Sequence, residues 1–355
     1  MSADVVITGI GAVTPVGAGA VQSCASVRAG FAGLQRHPSY YPLFPDPIVD
    51  EPEPTSCGIT VGDDDCSRRE ERSLEMGLAA TRELVRAAAL TRAQTCALDV
   101  LLCLPESGDG RPAFDDRVVV KGLARRLGIA LDNPVTVISE GAPGAFGAIA
   151  EAAARIGAGR TERCLVLATD SLVGDDMLLW FDEHDRLRSD RTADGFFAGE
   201  AAACFLLERA DAAQAREATI LARVTGVGLG DEPNTVAGDA NSTGQGLCQA
   251  IRAATRSWGA QPIHWAIGDM NGESYGAYEW GLATSRLGST LGATQLWHPA
   301  DSMGATGAAA SALAVALASR ALAAGYALDD RVLLWCSSDG KRRAACAITA
   351  PTGGS

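Results

Sequence analysis

The stretch Val135-Thr136-Val137-Ile138-Ser139-Glu140-Gly141-Ala142-Pro143-Gly144 opens the unit whose reading decides the fold. Its first four residues are all β-branched and three of them are apolar, which suits a buried strand. Ser139–Gly144 holds two glycines and a proline, the residues of a tight turn. The run Ala145–Ile156 is Ala-rich and predicts a helix whose small side chains let neighbours lie very close. Gly157-Ala158-Gly159 ends that helix, as glycine often does, and Arg163–Ala168 predicts a second buried strand.

The same arrangement recurs near the end of the chain. Thr294–Trp297 predicts a strand, Pro299–Gly304 a turn, Gly307–Ala324 an Ala-rich helix stopped at Gly325, and Arg331–Cys336 a strand. The segment Glu162–Ser171 (ERCLVLATDS) is echoed by Asp330–Asp339 (DRVLLWCSSD). Between these units, strands are predicted at Asp4–Ile10, Ala97–Leu104 and Ala218–Val227. Helices are predicted at Ala20–Ala32, Arg68–Ala89, Arg117–Leu127 and Gly244–Trp258. His37–Asp65 is rich in Pro, Asp and Ser and predicts a surface loop. Alternating strands and helices argue for a layered α/β fold. Internal duplication is the simplest account of the echo, with halves 1–215 and 216–355.

The chain of 355 residues is 47% apolar and carries 40 glycines, enough for a large and closely packed core. Its net charge of −13 argues against nucleic acid and anionic membrane surfaces as partners. The candidate basic patches for an acidic protein are Arg125-Arg126 and the group Arg68, Arg69 and Arg72. Ten cysteines are spread without a CxxC pair, several inside apolar runs, so they read as reduced core residues. The start Met1-Ser2-Ala3-Asp4 has no basic segment, and a cytoplasmic setting is expected. The most apolar stretch, Gly304–Leu328, is interrupted by Arg320 and predicts a buried helix and not a membrane span. His37, His184, His264 and His298 form no metal-binding pair, so neither a metal nor another cofactor is expected.

Two motifs carry a family resemblance. Val5-Val6-Ile7-Thr8-Gly9-Ile10-Gly11-Ala12-Val13-Thr14-Pro15-Val16-Gly17 resembles the opening of the β-ketoacyl-ACP synthases. Asp194-Gly195-Phe196-Phe197-Ala198-Gly199-Glu200-Ala201-Ala202 is similar to their DGFxxGEGA segment and stands in the same order. The resemblance spans essentially the whole chain, with a shorter second half. It implies the thiolase fold, two duplicated α/β halves in a five-layer α-β-α-β-α sandwich, and a dimer.

The resemblance also implies a site. Condensing synthases hold the acyl group on a cysteine in the turn before the first buried helix. Two histidines then promote malonyl decarboxylation and stabilise the enolate. Carried onto this chain, the cysteine position is Ala142. The first histidine position is Asn271, in Asp269-Met270-Asn271-Gly272-Glu273. The second is Gly304, in Ser302-Met303-Gly304-Ala305-Thr306-Gly307-Ala308-Ala309. The glycine-rich C-terminal loop also departs, as Ser337-Ser338-Asp339-Gly340-Lys341-Arg342. No cysteine lies between Val135 and Arg163, so a one-residue slip does not restore the nucleophile. Losing one member of such a catalytic unit costs about 10⁶ in rate.

The remaining polar residues near these turns are the pocket candidates. Glu140 is expected to cap the following helix, or to act as a general base in a repurposed site. Ser139 is a substitute nucleophile without a visible partner. Glu273, with Tyr278 and Glu279, is expected to fill the vacated site with a polar network or to bind a ligand. His298 and Asp301 precede the second turn, His298 most simply as a structural histidine. Trp180-Phe181 lies near the pocket mouth in this fold, as a partner anchor or as core.

Three functions follow. The chain is a non-condensing subunit, chain-length-factor-like, paired with an active β-ketoacyl synthase and its acyl carrier protein in a type II polyketide, aryl-polyene or fatty-acid-like pathway. Or it resembles the short thiolase-like proteins that accompany type VI secretion, as an adaptor for an effector. Or it is an acyltransferase or hydrolase with a new active site built on Glu140, Asn271 and Glu273.

Overall fold

The structure is a computed structural model that describes residues 4–43, 53–60, 68–108, 110–128, 135–189, 191–238 and 240–351. Its strands are β1 (Val5–Val13), β2 (Leu34–Arg36), β3 (Ser56–Gly58), β4 (Asp99–Cys103), β5 (Thr136–Ile138), β6 (Arg163–Ser171), β7 (Glu200–Arg209), β8 (Ala222–Asp231), β9 (Trp265–Gly268), β10 (Gln295–Trp297), β11 (Arg331–Ser337) and β12 (Arg342–Thr349).

Ten of them form one sheet in the order β10-β9-β11-β12-β8-β1-β7-β6-β4-β5. Outward from the β8–β1 seam, the order β8-β12-β11-β9-β10 repeats the order β1-β7-β6-β4-β5. The seam is a short antiparallel pairing, Val5 with Val224, Val6 with Arg223 and Ile7 with Ala222. Strands β4, β5 and β6 are mutually parallel, as are β9, β10 and β11, while β7 and β12 run antiparallel to their neighbours.

Five layers result. The helices Gly144–Gly157 and Ala310–Ala323 lie in the middle and bury both half-sheets, so Phe146, Val166, Ile267, Val315 and Leu334 share one core. Alanine makes this possible, since the first helix begins close enough to the second for the Ala145 amide to donate to Ser311 Oγ at 3.1 Å. Helices Arg69–Ala87 and Asp116–Leu127 cover the outer face of one half-sheet. Helices Gln245–Ala254 and Ser274–Leu287 cover the other. Among the described residues no helix is long and apolar enough to cross a membrane, and no group of His, Cys, Asp and Glu is placed to hold a metal ion.

Several elements differ from their sequence reading. Strands β7 and β12 are absent from it because both are buried on both faces and rich in alanine, so they show no alternation. The helix predicted from Gly307 begins at Ala310 after a 3-10 turn, because Gly307 stands at φ +52, outside helical geometry. The segment predicted as a surface loop contains the β2–β3 pair and buries His37, Tyr40 and Cys57, with His37 Nε2 3.0 Å from the Val173 carbonyl. Its residues 44–52 and 61–65 lie outside the described residues.

Candidate functional site

Strands β4 and β6 of one half-sheet and β9 and β11 of the other each lead into loops at one cavity, as the carboxyl ends of strands do in α/β sheets. The loops that leave them meet the starts of the two central helices around a cavity of about 140 Å³. Ala142, Asn271 and Gly304 all line it, so the three positions taken from the resemblance come together in space. Among the described residues neither a cysteine nor a histidine lines it. The nine described cysteines are free, and burial pushes the thiols of Cys24, Cys57 and Cys164 up to about 12.

The backbone explains Gly304. It stands at φ +75, in the left-handed region, and a Cβ would lie 2.7 Å from the Phe197 carbonyl oxygen and 2.8 Å from that of Ala198. The turn is stitched to the Phe197–Gly199 segment by Ala305 N to Phe197 O (2.8 Å) and Gly199 N to Ala305 O (2.9 Å). A side chain of any kind is excluded there unless that stitching opens.

Asn271 is engaged with its own loop. Its Nδ2 donates to Glu273 Oε2 at 2.8 Å, and its Oδ1 accepts from the Glu273 amide at 3.1 Å. Arg186 grips Glu273 with both ends of its fork, at 2.7 and 2.8 Å, and also donates to Asp339 at 2.8 Å. Arg111 donates to the same oxygen of Asp339, Oδ2. Burial works against the Asp339 charge, but Arg186 and Arg111 outweigh it and hold the carboxyl well below the usual range. Glu106 is nearby, and burial together with Asp339 pushes its carboxyl up. The bidentate Arg186–Glu273 pair is the geometry that rewards arginine over lysine.

Asp269 begins the same loop and is the other perturbed group. Its Oδ2 accepts from the Ser337 amide at 2.7 Å. Burial, with a contribution from Glu279, raises its pKa to about 7. On the far wall, Arg69 donates to Asp170 Oδ1 at 2.8 Å, and Asp170 Oδ2 accepts from the Ala308 amide at 3.0 Å, which anchors the second turn.

The expected Glu273–Tyr278–Glu279 network does not form. Glu279 is fully buried on another set of partners, Arg343 at 2.8 Å, Ser242 at 2.9 Å and Ser337 at 2.6 Å, and Tyr278 is exposed. One helical turn of Ser274–Leu287 points these residues away from Glu273. Glu140 does not cap helix Gly144–Gly157, which has no side-chain cap. It sits 3.7 Å from Arg342. Ser139 is exposed. His298 Nε2 lies 3.2 Å from Asp301 Oδ2. None of these four residues lines the cavity. Phe181 does line it, but is 2% exposed and packs edge-on against Phe196, so it is core and not a partner anchor. Of the basic group, Arg69 is buried on Asp170, and Arg72 donates to Glu200 at 2.7 Å. These two therefore form no exposed patch.

Arg111, Arg186, Asp269 and Asp339 are the site residues that sequence reasoning missed as a set. No local pattern links residues 153 or 228 positions apart.

Comparison with known proteins fits this geometry. No protein-family model matches the chain. A protein of Streptomyces halstedii named polyketide beta-ketoacyl synthase 1 is 28% identical over 268 residues, which cover 64% of this chain and 63% of that protein. The structure of a type II polyketide synthase acyl-carrier protein in complex with its ketosynthase bound to the hexaketide superposes with a TM-score of 0.80 at 16% identity, over 99% of this chain and 100% of that one. The chain has the fold of the ketosynthases. The ishigamide ketosynthase/chain length factor gives a TM-score of 0.79 at 17% identity, over 99% and 100% of the two chains. The chain therefore shares this fold over 99% of its length, and its cavity is lined by carboxylates and guanidiniums together with apolar side chains such as Leu172, Met303 and Leu313.

Proposed function

We propose that this chain is a non-condensing homologue of the β-ketoacyl synthases that works as a partner subunit, in the manner of a chain length factor, beside a synthase that keeps its own nucleophile. The observation that carries this reading is the cavity lining. Ala142, Asn271 and Gly304 meet where a thiolate and two imidazoles are needed, and among the described residues no cysteine or histidine lines the wall to replace them.

Two further features support it. A cavity of about 140 Å³ is well below the roughly 300–1,000 Å³ of drug-sized ligand clefts, which fits a chain that holds no long acyl group of its own. The Arg186–Glu273–Asn271 and Arg186–Asp339–Arg111 contacts join loops from four separate strands, as a structural filling would. The repeated strand order supports halves 1–215 and 216–355 that arose by duplication. In this reading the acyl carrier protein visits the active partner, and this chain contributes surface and shape. Purification of the tagged chain from its native host tests the proposal. It predicts a synthase with an intact cysteine and both histidines at comparable stoichiometry. Recovery of secretion effectors in place of any synthase overturns it in favour of an adaptor.

A further inference from the structure

Asn271 stands immediately before Gly272, a pair with a chemistry of its own. Asparagine is a thermolabile residue. The main-chain nitrogen of the next residue attacks its Cγ, and that attack is least hindered where the next residue is glycine. The chain has four asparagines. Asn133 precedes a proline, which has no N–H to give up. Asn234 and Asn241 precede Thr235 and Ser242, whose Cβ atoms shield the nitrogen. Only Asn271 precedes a glycine. Gly272 is exposed, and its amide has no hydrogen-bond partner among the described residues. The loop cannot exchange this glycine without strain. Gly272 stands at φ +111, and a Cβ there would lie 3.2 Å from the Gly195 carbonyl oxygen.

The Asn271 carboxamide is held on both sides by one residue. Its Oδ1 accepts from the Glu273 amide at 3.1 Å, and its Nδ2 donates to Glu273 Oε2 at 2.8 Å. Arg186 fixes that carboxylate through both oxygens, at 2.7 and 2.8 Å. Both side chains of the ion pair are mostly buried, so solvent screens it poorly. Attack on Cγ makes that atom tetrahedral and turns Oδ1 and Nδ2 out of the plane in which Glu273 holds them. The reaction therefore cannot proceed until at least one of those bonds loosens.

We propose that Asn271 is a site of spontaneous deamidation gated by the Arg186–Glu273 pair. When the pair opens, the Gly272 nitrogen forms a bond to Cγ and the Cγ–Nδ2 bond breaks. Ammonia leaves with the proton that Gly272 gives up. Water then opens the succinimide ring at either carbonyl, which yields aspartate or isoaspartate. The sum is one water in and one ammonia out, with no oxidant or reductant. The product has a carboxylate where Nδ2 had donated to Glu273, so two like charges face each other and the original contact cannot re-form. The inference goes beyond the partner-subunit reading and does not rest on it.

The experiment is peptide mapping by mass spectrometry of the full chain held at mildly alkaline pH and physiological temperature. It follows in time the mass gain of amide-to-acid exchange at Asn271. Folded wild type is expected to convert about tenfold more slowly than the same chain unfolded in urea. Glu273→Ala is expected to convert about tenfold faster than wild type, the factor that follows from losing a hydrogen bond to a charged group. Arg186→Lys keeps the charge but loses the paired contact, so its rate should fall between the two. It carries the test by itself where Glu273→Ala does not fold. Arg69→Ala breaks a buried pair on the other wall, with Asp170, and leaves the contacts of Asn271 in place, so its rate should match wild type. Equal rates in folded and unfolded wild type overturn the proposal. So does a lack of acceleration in Arg186→Lys or in folded Glu273→Ala, or an equal acceleration in Arg69→Ala, which would mark general loosening of the fold.

Discussion

Gly304 and Phe197 are so close that a Cβ on Gly304 would lie 2.7 Å from the Phe197 carbonyl oxygen. The position at which the resemblance expects a catalytic histidine is thus shaped for glycine by its φ of +75 as well as by its neighbours. Gly304→His places a bulky side chain in the left-handed region against two carbonyl oxygens. We predict a loss of about 2–4 kcal/mol of stability, seen as a fall of several degrees in Tm. Thermal unfolding of the variant checks this, and an unchanged Tm would show that the turn yields freely.

Arg186 is the hub of the cavity wall. Its removal leaves Glu273 without its cation and Asp339 with Arg111 alone. Arg186→Ala is expected to cost about 3–5 kcal/mol, and Arg186→Lys to recover only part of it, because lysine cannot make the bidentate contact with Glu273. Denaturant unfolding of both variants measures the difference. A cost below about 1 kcal/mol for the alanine variant would contradict the network's role.

The same cluster sets an acid limb. Asp339 has a folded pKa below its unfolded value of about 3.9, so it contributes stability that is present above about pH 4 and lost as pH falls toward the folded value. Between pH 5 and pH 3 wild type should lose more stability than Arg186→Ala, in which the carboxyl is held down by Arg111 alone. Parallel acid losses in the two proteins would refute this assignment.

Asp269 acts in the opposite direction. Burial raises its pKa to about 7 in the folded chain, against about 3.9 unfolded. The folded state then binds more protons between these values, so this group's contribution to stability is full below about pH 4 and lost as pH rises through about 7. Asp269→Asn keeps an oxygen for the Ser337 amide and removes the titration. The Tm of the variant relative to wild type should therefore rise from pH 5 to pH 8. A constant difference would place the Asp269 titration elsewhere.

Much of this architecture was legible in the chain because its two central helices are punctuated so clearly. The Gly/Pro turns before them, the alanine within them and Gly159 and Gly325 after them, both at positive φ, mark the repeated unit without tertiary information. Strands β7 and β12 were not legible, because a strand buried on both faces loses the period of two. The vacated positions Ala142, Asn271 and Gly304 were found through the order of motifs. What occupies the cavity was hidden. Glu273 gave no sign that its partner is Arg186, and nothing near Asp269 in sequence announces its burial. Those facts arise when loops from distant strands meet, and a single sequence does not record such meetings.

The central claim is that this chain does not form an acyl thioester of its own. The most direct test is intact-protein mass spectrometry of the purified chain after incubation with an acyl carrier thioester, with malonyl carrier thioester added to detect condensation. The account predicts no acyl mass on the chain and no β-ketoacyl product. A covalent acyl adduct that turns over when the malonyl thioester is added would contradict it and reveal a nucleophile that the Ala142 turn does not supply.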